Sequence, residues 1–191
     1  RLYEVTQTKG TGEAHPFLSP NDEFAGFELW DYTLSADAER PTHREGSYVR
    51  RALLDGLMLS SRGKGNPFKY GFIGDTDTHN AAASHRRAEH VVAVAGDHVA
   101  GAADVGGREF VQAAYARGVP MGGDLAAASK GRAPSFMVWA IKDPLSGNLD
   151  RIQIVKGWAK NGQSFEKIYD VAWSGDRKPN KWTGVVPSVG S

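Results

Sequence analysis

Two side chains near the middle of the chain, Asp77 and His79, have the types and the spacing expected of metal ligands. They follow the apolar run 70–74, which has the character of a strand. Alternate residues of an extended strand point the same way, so a carboxylate and an imidazole two positions apart converge on one point past the strand's end. Such ligands together suit zinc, manganese or iron. The pattern therefore predicts a divalent metal site with Asp77 and His79 as ligands.

The same string has a plainer interpretation. A short Asp-x-His sequence is common, and in a polar turn both side chains satisfy backbone groups. A second candidate site is the loop 40–44, in which Arg40, His43 and Arg44 would hold the phosphate of a substrate. Its alternative is an exposed charged loop without a ligand.

The composition of the chain limits the class of protein. Its 191 residues are 40% hydrophobic and 24% charged, an ordinary balance for a folded globular protein. With 23 basic and 22 acidic residues the net charge is +1, so we expect neither nucleic acid nor a membrane as a partner. The absence of cysteine excludes disulfides and thiolate zinc sites, which leaves His, Asp and Glu as the strong metal ligands. The compartment is left open.

The elements that would position the metal site occur in the order strand, helix, strand. Residues 2–8 alternate polar and apolar side chains and predict a strand. Ser47 is a favourable N-cap for a helix over about residues 48–60, which has an apolar stripe and Arg50 on its outward face. The apolar run 70–74 follows directly. This order predicts an α/β fold with a site at the carboxyl ends of the strands.

After Pro134 the pattern changes to period two, which is typical of antiparallel strands. The Asn161-Gly162 pair is a signal for a tight hairpin turn. The predicted strands cover residues 136–141, 149–158 and 165–173. We interpret residues 118–191 as an antiparallel β-sandwich-like accessory module. Its Trp139, Trp158 and Trp173 are predicted core residues, and the alternative is a face that stacks on sugars.

Several long motifs resemble one bacterial family, the domain-of-unknown-function 3604 family. The resemblance covers residues 1–80 and about 109–175, most of the chain. The strings that carry it include Glu13-Ala14-His15-Pro16, Ser19-Pro20-Asn21-Asp22-Glu23-Phe24, Asn66-Pro67-Phe68-Lys69-Tyr70-Gly71-Phe72-Ile73-Gly74-Asp75-Thr76-Asp77-Thr78-His79-Asn80 and Gly118-Val119-Pro120-Met121-Gly122-Gly123-Asp124-Leu125.

That family is similar in turn to the PHP (polymerase and histidinol phosphatase) metallohydrolases, whose distorted β/α barrel holds two or three metal ions at the strand ends. The resemblance implies that Asp77 and His79 belong to the Gly-x-Asp-x-His element of the last barrel strand and are catalytic residues. It implies that Glu4 bridges metal ions and that His15, beside Glu13, is a loop ligand. A complete site would hold two or three divalent ions of zinc, manganese or iron.

The resemblance also implies a division of the chain. Residues 1–80 would be the C-terminal part of a PHP-like metal-binding α/β domain, residues 81–117 an unassigned connecting segment, and residues 118–191 the β-rich accessory module. The predicted fold class is therefore α/β, a partial PHP-like β/α barrel followed by the β-sandwich-like module. The His-x-His strand that opens the family's barrel does not occur here. An upstream segment or another chain would then supply the missing ligands.

Two functions of different class follow. The first is a metal-dependent hydrolase of the PHP type, which acts on a small-molecule phosphoester or a related ester and carries part of the site in this chain. The alternative is a non-catalytic binding or scaffolding protein whose β module binds carbohydrate or a protein subunit. Because the first residue is Arg1 and not Met, we expect the chain to be part of a longer precursor.

Overall fold

The computed structural model describes residues 1–29, 44–74, 77, 92–95, 108, 112, 115–116, 118–126, 136–140 and 147–188. Within these ranges the strands form three separate sheets. No helix of this described part has the length and the apolar character needed to cross a membrane.

The first sheet contains the two strands predicted around the helix. β1 (Leu2–Gln7) lies between β2 (Gly10–Thr11) and β3 (Gly71–Gly74). β1 is antiparallel to β2 and parallel to β3. Parallel neighbours need a crossover connection, and the chain between them contains α1 (Arg44–Ser47) and α2 (Val49–Ser61). The predicted strand, helix and strand are confirmed, and the carboxyl ends of β1 and β3 meet at one edge of the sheet.

Helix α2 begins without the predicted side-chain cap. Ser47 ends α1, and the N-cap residue is Tyr48, whose side chain makes no capping hydrogen bond. The first two amide groups of the helix instead donate to the carbonyl groups of Gly12 and Glu13, at 2.9 and 3.0 Å. The prediction of Ser47 as the N-cap is wrong because a contact with the loop after β2 satisfies the amide groups that a local cap would serve.

The C-terminal strands form the hairpin that the Asn161-Gly162 pair predicts. β6 (Arg151–Lys160) and β7 (Gln163–Trp173) are antiparallel, and the two turn residues have φ angles of 53° and 76°. A two-residue turn of type I′ requires such left-handed values at both positions. A separate antiparallel pair consists of β4 (Val92–Ala95) and β5 (Phe136–Trp139). The packing of these pairs into a sandwich stays a prediction.

The β6–β7 hairpin has two faces of different character. Its inner face packs against α2, because a Cβ atom at Gly157 would lie 2.9 Å from Leu54 Cδ2. Glu166 and Asp170 alternate with exposed positions along β7 and lie on this inner face. The opposite face, which we call the outer face, consists of Ile154, Lys156, Trp158 and Lys160 paired with Tyr169, Lys167, Phe165 and Gln163.

The loop 118–126 covers the segment that leads into β3. Gly122 has a φ of 75°, and an added Cβ atom would lie 3.0 Å from the carbonyl carbon of Tyr70. Backbone can approach this closely, in this conformation, only where the residue is glycine. Lys69 Nζ also lies 2.5 Å from Asp124 Oδ2. The loop therefore fixes the entry to the strand that precedes Asp77.

Gly56 is buried on α2 where the helix meets the loop before β3. An added Cβ atom would lie 2.9 Å from Asn66 Cγ, and a hydrogen bond of 2.9 Å from Phe68 N–H holds Asn66 Oδ1 in place. We expect Gly56→Ala to lower the free energy of unfolding by about 1–3 kcal/mol through overpacking, although alanine is the better helix former. Urea denaturation measures the change.

Gly46→Ala in α1 is the matched control, because no atom lies within 4 Å of its added Cβ atom. There the free energy of unfolding should stay the same or rise by up to about 1 kcal/mol. An equal loss in both variants would contradict the role assigned to the contact with Asn66.

Candidate functional site

Four polar side chains are linked at the edge where β1 and β3 end: Glu4, Gln7, Lys9 and Asp77. We call them the edge cluster. Lys9 Nζ forms an ion pair with the Asp77 carboxylate and donates to the Asp77 carbonyl oxygen at 3.3 Å. It also donates to Gln7 Oε1 at 3.2 Å, and Gln7 Nε2 donates to Glu4 Oε2 at 3.3 Å. Two predicted ligands, Glu4 and Asp77, are thus connected through two side chains.

The backbone of Asp77 adopts an uncommon conformation. Its φ is 47°, in the left-handed region, which aspartate tolerates better than most residues. Its side chain is 29% exposed, so the carboxylate is partly accessible to solvent. Conformations of this kind concentrate at functional sites, where the surroundings must hold them. Lys9 supplies such a hold because it contacts both the side chain and the carbonyl group of Asp77.

The edge cluster offers part of the donor set of a divalent ion. Glu4 and Asp77 provide carboxylate oxygens, which suit zinc, manganese or iron when imidazole is also present. The Lys9 ammonium group occupies a place beside Asp77 that a metal ion would take, so the ion would have to displace it. Within the described ranges, no three His, Asp or Glu side chains are close enough to hold a metal ion. The residues present fit a metal only together with ligands from elsewhere.

Three predicted site residues, Arg40, His43 and His79, lie outside the described residues, so their roles stay predictions. Arg44 is described and begins α1. Its guanidinium carbon lies 5.4 Å from the centre of the Phe17 ring, a cation–π contact. The predicted phosphate-binding side chain of Arg44 is thus placed beside the loop that follows β2.

His15 lies in that loop and is 7% exposed. Its Nδ1 accepts a hydrogen bond of 3.0 Å from Phe17 N–H, and its ring centre lies 5.2 Å from that of Tyr48. When Nδ1 accepts a hydrogen bond, the neutral imidazole carries its proton on Nε2. Metal binding by His15 would therefore require a change of this hydrogen bond or tautomer. Its role as a ligand stays a prediction.

A buried arginine forms ion pairs with three carboxylates, and this cluster was not predicted from the sequence. We call Arg50, Glu13, Asp22 and Glu166 the Arg50 cluster. Arg50 pairs with Glu13, with Asp22 Oδ2 at 2.5 Å and with Glu166 Oε1 at 3.6 Å. Burial opposes its charge, but the hydrogen bonds that Arg50 donates to Glu13 and Asp22 outweigh burial and raise the pKa of Arg50. The outward position predicted for Arg50 is wrong, because these acids balance its charge inside the protein.

The sequence does hold one signal of this burial. Arg50 precedes Leu54 by four positions and Leu57 by seven, which places the three residues on one face of α2. That face packs on the hairpin, because a Cβ atom at Gly157 would contact both leucines. Val49 and Arg50 are both buried, so the buried face of α2 is wider than the predicted apolar stripe.

A second buried arginine, Arg151, joins the hairpin to the N-terminal half of the chain. We call Arg151, Glu23, Asp150 and Asp170 the Arg151 cluster. Arg151 is 2% exposed and pairs with Asp150 Oδ1 and Glu23 Oε1, both at 2.6 Å, and with Asp170 Oδ2 at 3.0 Å. Its guanidinium carbon lies 4.9 Å from the Phe24 ring centre. Packing and charge thus hold the loop before α1 against β6.

Asp170 is the most constrained acid of the Arg151 cluster, and its side chain is 5% exposed. It accepts hydrogen bonds from Val186 N–H at 2.9 Å and from Gln153 Nε2 at 2.8 Å. Burial opposes ionisation, but these hydrogen bonds and the charge of Arg151 hold the pKa of Asp170 below its usual value. Because Val186 is fully buried, the carboxylate also anchors the C-terminal tail.

Two cavities lie beside the hairpin rather than at the edge cluster. The larger, about 690 Å³, lies between α2 and the hairpin turn, and Arg51 and Asp55 of its lining pair with each other at 3.1 Å. The smaller, about 150 Å³, is lined in part by Glu13, Asp22 and Arg50, which also pair with each other. Mutual pairing of these charges favours a structural role for them. The edge cluster is the candidate site because two of the predicted metal ligands, Glu4 and Asp77, are linked there.

Comparison with protein families gives one result. A family model described as "Protein of unknown function (DUF3604)" matches residues 1–105 and 95–191, which together span the chain. No curated protein and no solved structure matches the chain. The match bears out the family resemblance drawn from the sequence motifs.

Proposed function

Because the chain belongs to the DUF3604 family of proteins of unknown function, we propose the activity that the similarity of that family to PHP metallohydrolases implies. The chain is a metal-dependent hydrolase that acts on a phosphoester or a related ester. One observation supports this most: the parallel pairing of β1 with β3, which brings Glu4 and Asp77 into one linked cluster at the strand ends. In this proposal residues 1–80 are part of a PHP-like barrel, and residues 118–191 are an accessory module.

The metal would be held by Asp77 and Glu4, with His79 as the predicted imidazole ligand and His15 as a further predicted one. When bound, the ion activates water and stabilises the charge that develops on the phosphoryl oxygens. The other two residues of the edge cluster, Gln7 and Lys9, position these carboxylates in the proposal. Gln7 orients the Glu4 carboxylate through its amide hydrogen bond.

Lys9 holds the Asp77 side chain in place. With a metal held at Asp77, the Lys9 ammonium group would turn its three N–H donors toward the phosphate of a substrate. The missing ligands come from an upstream segment or another chain in this proposal. Arg40, His43 and Arg44 are the proposed contacts to the phosphate.

The proposal predicts that Asp77→Ala removes both metal binding and hydrolysis. Elemental analysis measures the metal content of purified protein, and turnover of para-nitrophenyl phosphate with added manganese or zinc measures activity. Loss of one carboxylate ligand should lower metal affinity and activity at least about tenfold. The matched control is Asp176→Ala, because Asp176 is an exposed aspartate of the C-terminal tail and has no part in the edge cluster.

The control variant should keep the metal content and the activity of the parent chain. Equal metal content in the parent and in Asp77→Ala would contradict the proposed site. Hydrolysis that persists in Asp77→Ala at the parent rate would contradict the proposed function.

A further inference from the structure

The outer face of the hairpin combines cationic and aromatic side chains. Of its eight positions, three are lysines, three are aromatic residues and none is acidic. The acids of β7, Glu166 and Asp170, lie on the inner face, where buried arginines pair with them. Because successive side chains of β7 point to opposite faces, its acidic side chains lie on the inner face and Lys167 lies on the outer face. The outer face is basic, although the whole chain has a net charge of only +1.

Two of the three aromatic residues of the outer face are exposed to solvent. Phe165 and Tyr169 are each 38% exposed. Trp158 stacks on Phe165 across the strands, with ring centres 5.5 Å apart and planes inclined by 16°. Trp158 itself is half-buried and lies, by its strand register, on the face opposite α2, so its predicted core position in a β-sandwich-like module stays a prediction. Trp173 is engaged elsewhere, since its Nε1 donates to the Arg177 carbonyl oxygen at 2.8 Å.

Cations and rings alternate along this face. Lys156 and Lys167 are opposite each other, and the Trp158–Phe165 pair lies on the next rung toward the turn. Lys156 Nζ lies 5.6 Å from the Trp158 ring centre, and Lys167 Nζ lies 4.9 Å from that of Tyr169. Cation–π contacts at exposed sites are weak. Each lysine ammonium group can therefore leave its aromatic ring and bind an anion. A ligand with anionic groups and flat apolar surfaces would complement both kinds of side chain.

We propose that the outer face of the β6–β7 hairpin binds an acidic polysaccharide, one with carboxylate or sulfate groups on part of its sugar units. The apolar faces of the sugar rings pack on Trp158, Phe165 and Tyr169, and the acidic groups contact Lys156, Lys160 and Lys167. A second copy of this chain is a poor occupant, because two such faces would bring lysine against lysine. This proposal does not depend on the metal site.

The small number of lysines favours a polysaccharide over single-stranded nucleic acid. Lys156 and Lys167 share one rung, and Lys160 lies two rungs further on, roughly 14 Å along the strand. Single-stranded nucleic acid carries a phosphate on every nucleotide, and its binding rests on many phosphate contacts. Three lysines on two rungs are few for such a ligand. A polysaccharide with a charge on only some of its sugar units fits two separated sites of positive charge.

The test uses the full chain and oligogalacturonate as the acidic probe, with neutral dextran and oligo-dT as comparison ligands, and titration calorimetry as the measurement. We expect binding to oligogalacturonate that weakens as salt is added. The double variant Lys156→Gln/Lys167→Gln should bind it about tenfold more weakly. The matched control Lys178→Gln/Lys181→Gln removes the same charge from the exposed tail and should bind like the parent chain.

Four results would overturn the proposal: no binding of oligogalacturonate at low salt, equal loss in both double variants, equal binding of dextran, or tighter binding of oligo-dT of matched charge. The last result would assign the face to nucleic acid. Circular dichroism of each variant confirms that the hairpin is intact, because exposed lysine to glutamine changes leave the core untouched.

Discussion

Arg50→Met is expected to lower the free energy of unfolding by about 3–5 kcal/mol, because it leaves buried carboxylates without their cation. The side chain of Asp22 is 4% exposed and that of Glu166 is 15% exposed. Glu166 Oε2 is buried and has no hydrogen-bond partner within the described part of the chain, so its charge depends on the nearby guanidinium. Methionine keeps much of the length of the side chain, so the loss reports mainly on charge. Urea denaturation near neutral pH measures it.

The neighbouring residue on α2 provides the control. Arg51 pairs with Asp55 at 3.1 Å in an (i, i+4) arrangement, and its side chain is 40% exposed. Arg51→Met should change the free energy of unfolding by less than about 1 kcal/mol. Arg50→Met combined with Asp22→Asn should destabilise less than the sum of the two single changes, because the second change removes a charge that the first has exposed. Similar losses for Arg50→Met and Arg51→Met would contradict the role of the Arg50 cluster.

Asp170→Asn is expected to lower the free energy of unfolding by about 3 kcal/mol at neutral pH, since it leaves Arg151 short of a buried partner. Asparagine can still accept the hydrogen bond from Val186 N–H, so the tail keeps an anchor. The pKa of Asp170 is lower in the folded chain than in the unfolded one. Its ionised form therefore adds stability above about pH 4, and this contribution is lost as the pH falls through the folded pKa.

The free energies of unfolding of the parent chain and of Asp170→Asn should accordingly differ most at neutral pH and become similar in acid. Urea denaturation over a series of pH values measures the difference. Asp176→Asn is the control, because Asp176 is exposed in the tail, and the curve of that variant should follow the parent. A constant difference between the parent and Asp170→Asn at all pH values would show that the carboxylate charge is not the source of the stability.

Local elements of the fold were predictable because short-range rules determine them. The Asn161-Gly162 pair predicts its turn, since both residues adopt positive φ readily. The period of the apolar side chains predicts α2 and the strands. The pairing of the buried arginines follows no such rule, because most of their partners are distant in sequence. Arg50 is 37 positions from Glu13, and Arg151 is 128 positions from Glu23.

The candidate site, too, was predictable from the sequence only in part. A parallel β1–β3 pair follows from the strand, helix, strand order, and it brings the strand that contains Glu4 to the edge near Asp77. The position of Lys9 was not predicted, because it depends on the turn between β1 and β2 and on the path of the chain after β3. A lysine near two acids has no characteristic spacing in a sequence.

The two arginine clusters have a consequence for how the chain reaches its native state. Each joins the segment 13–23 to the hairpin 150–170, so the stabilising contacts are of high contact order, and the entropy of closing a long loop must be lost before they form. We expect the chain to refold slowly, with docking of the segment 13–23 against the hairpin as the late step. A break in the chain between them would leave each piece with uncompensated acids or arginines, and the pieces would regain structure only by reassociation.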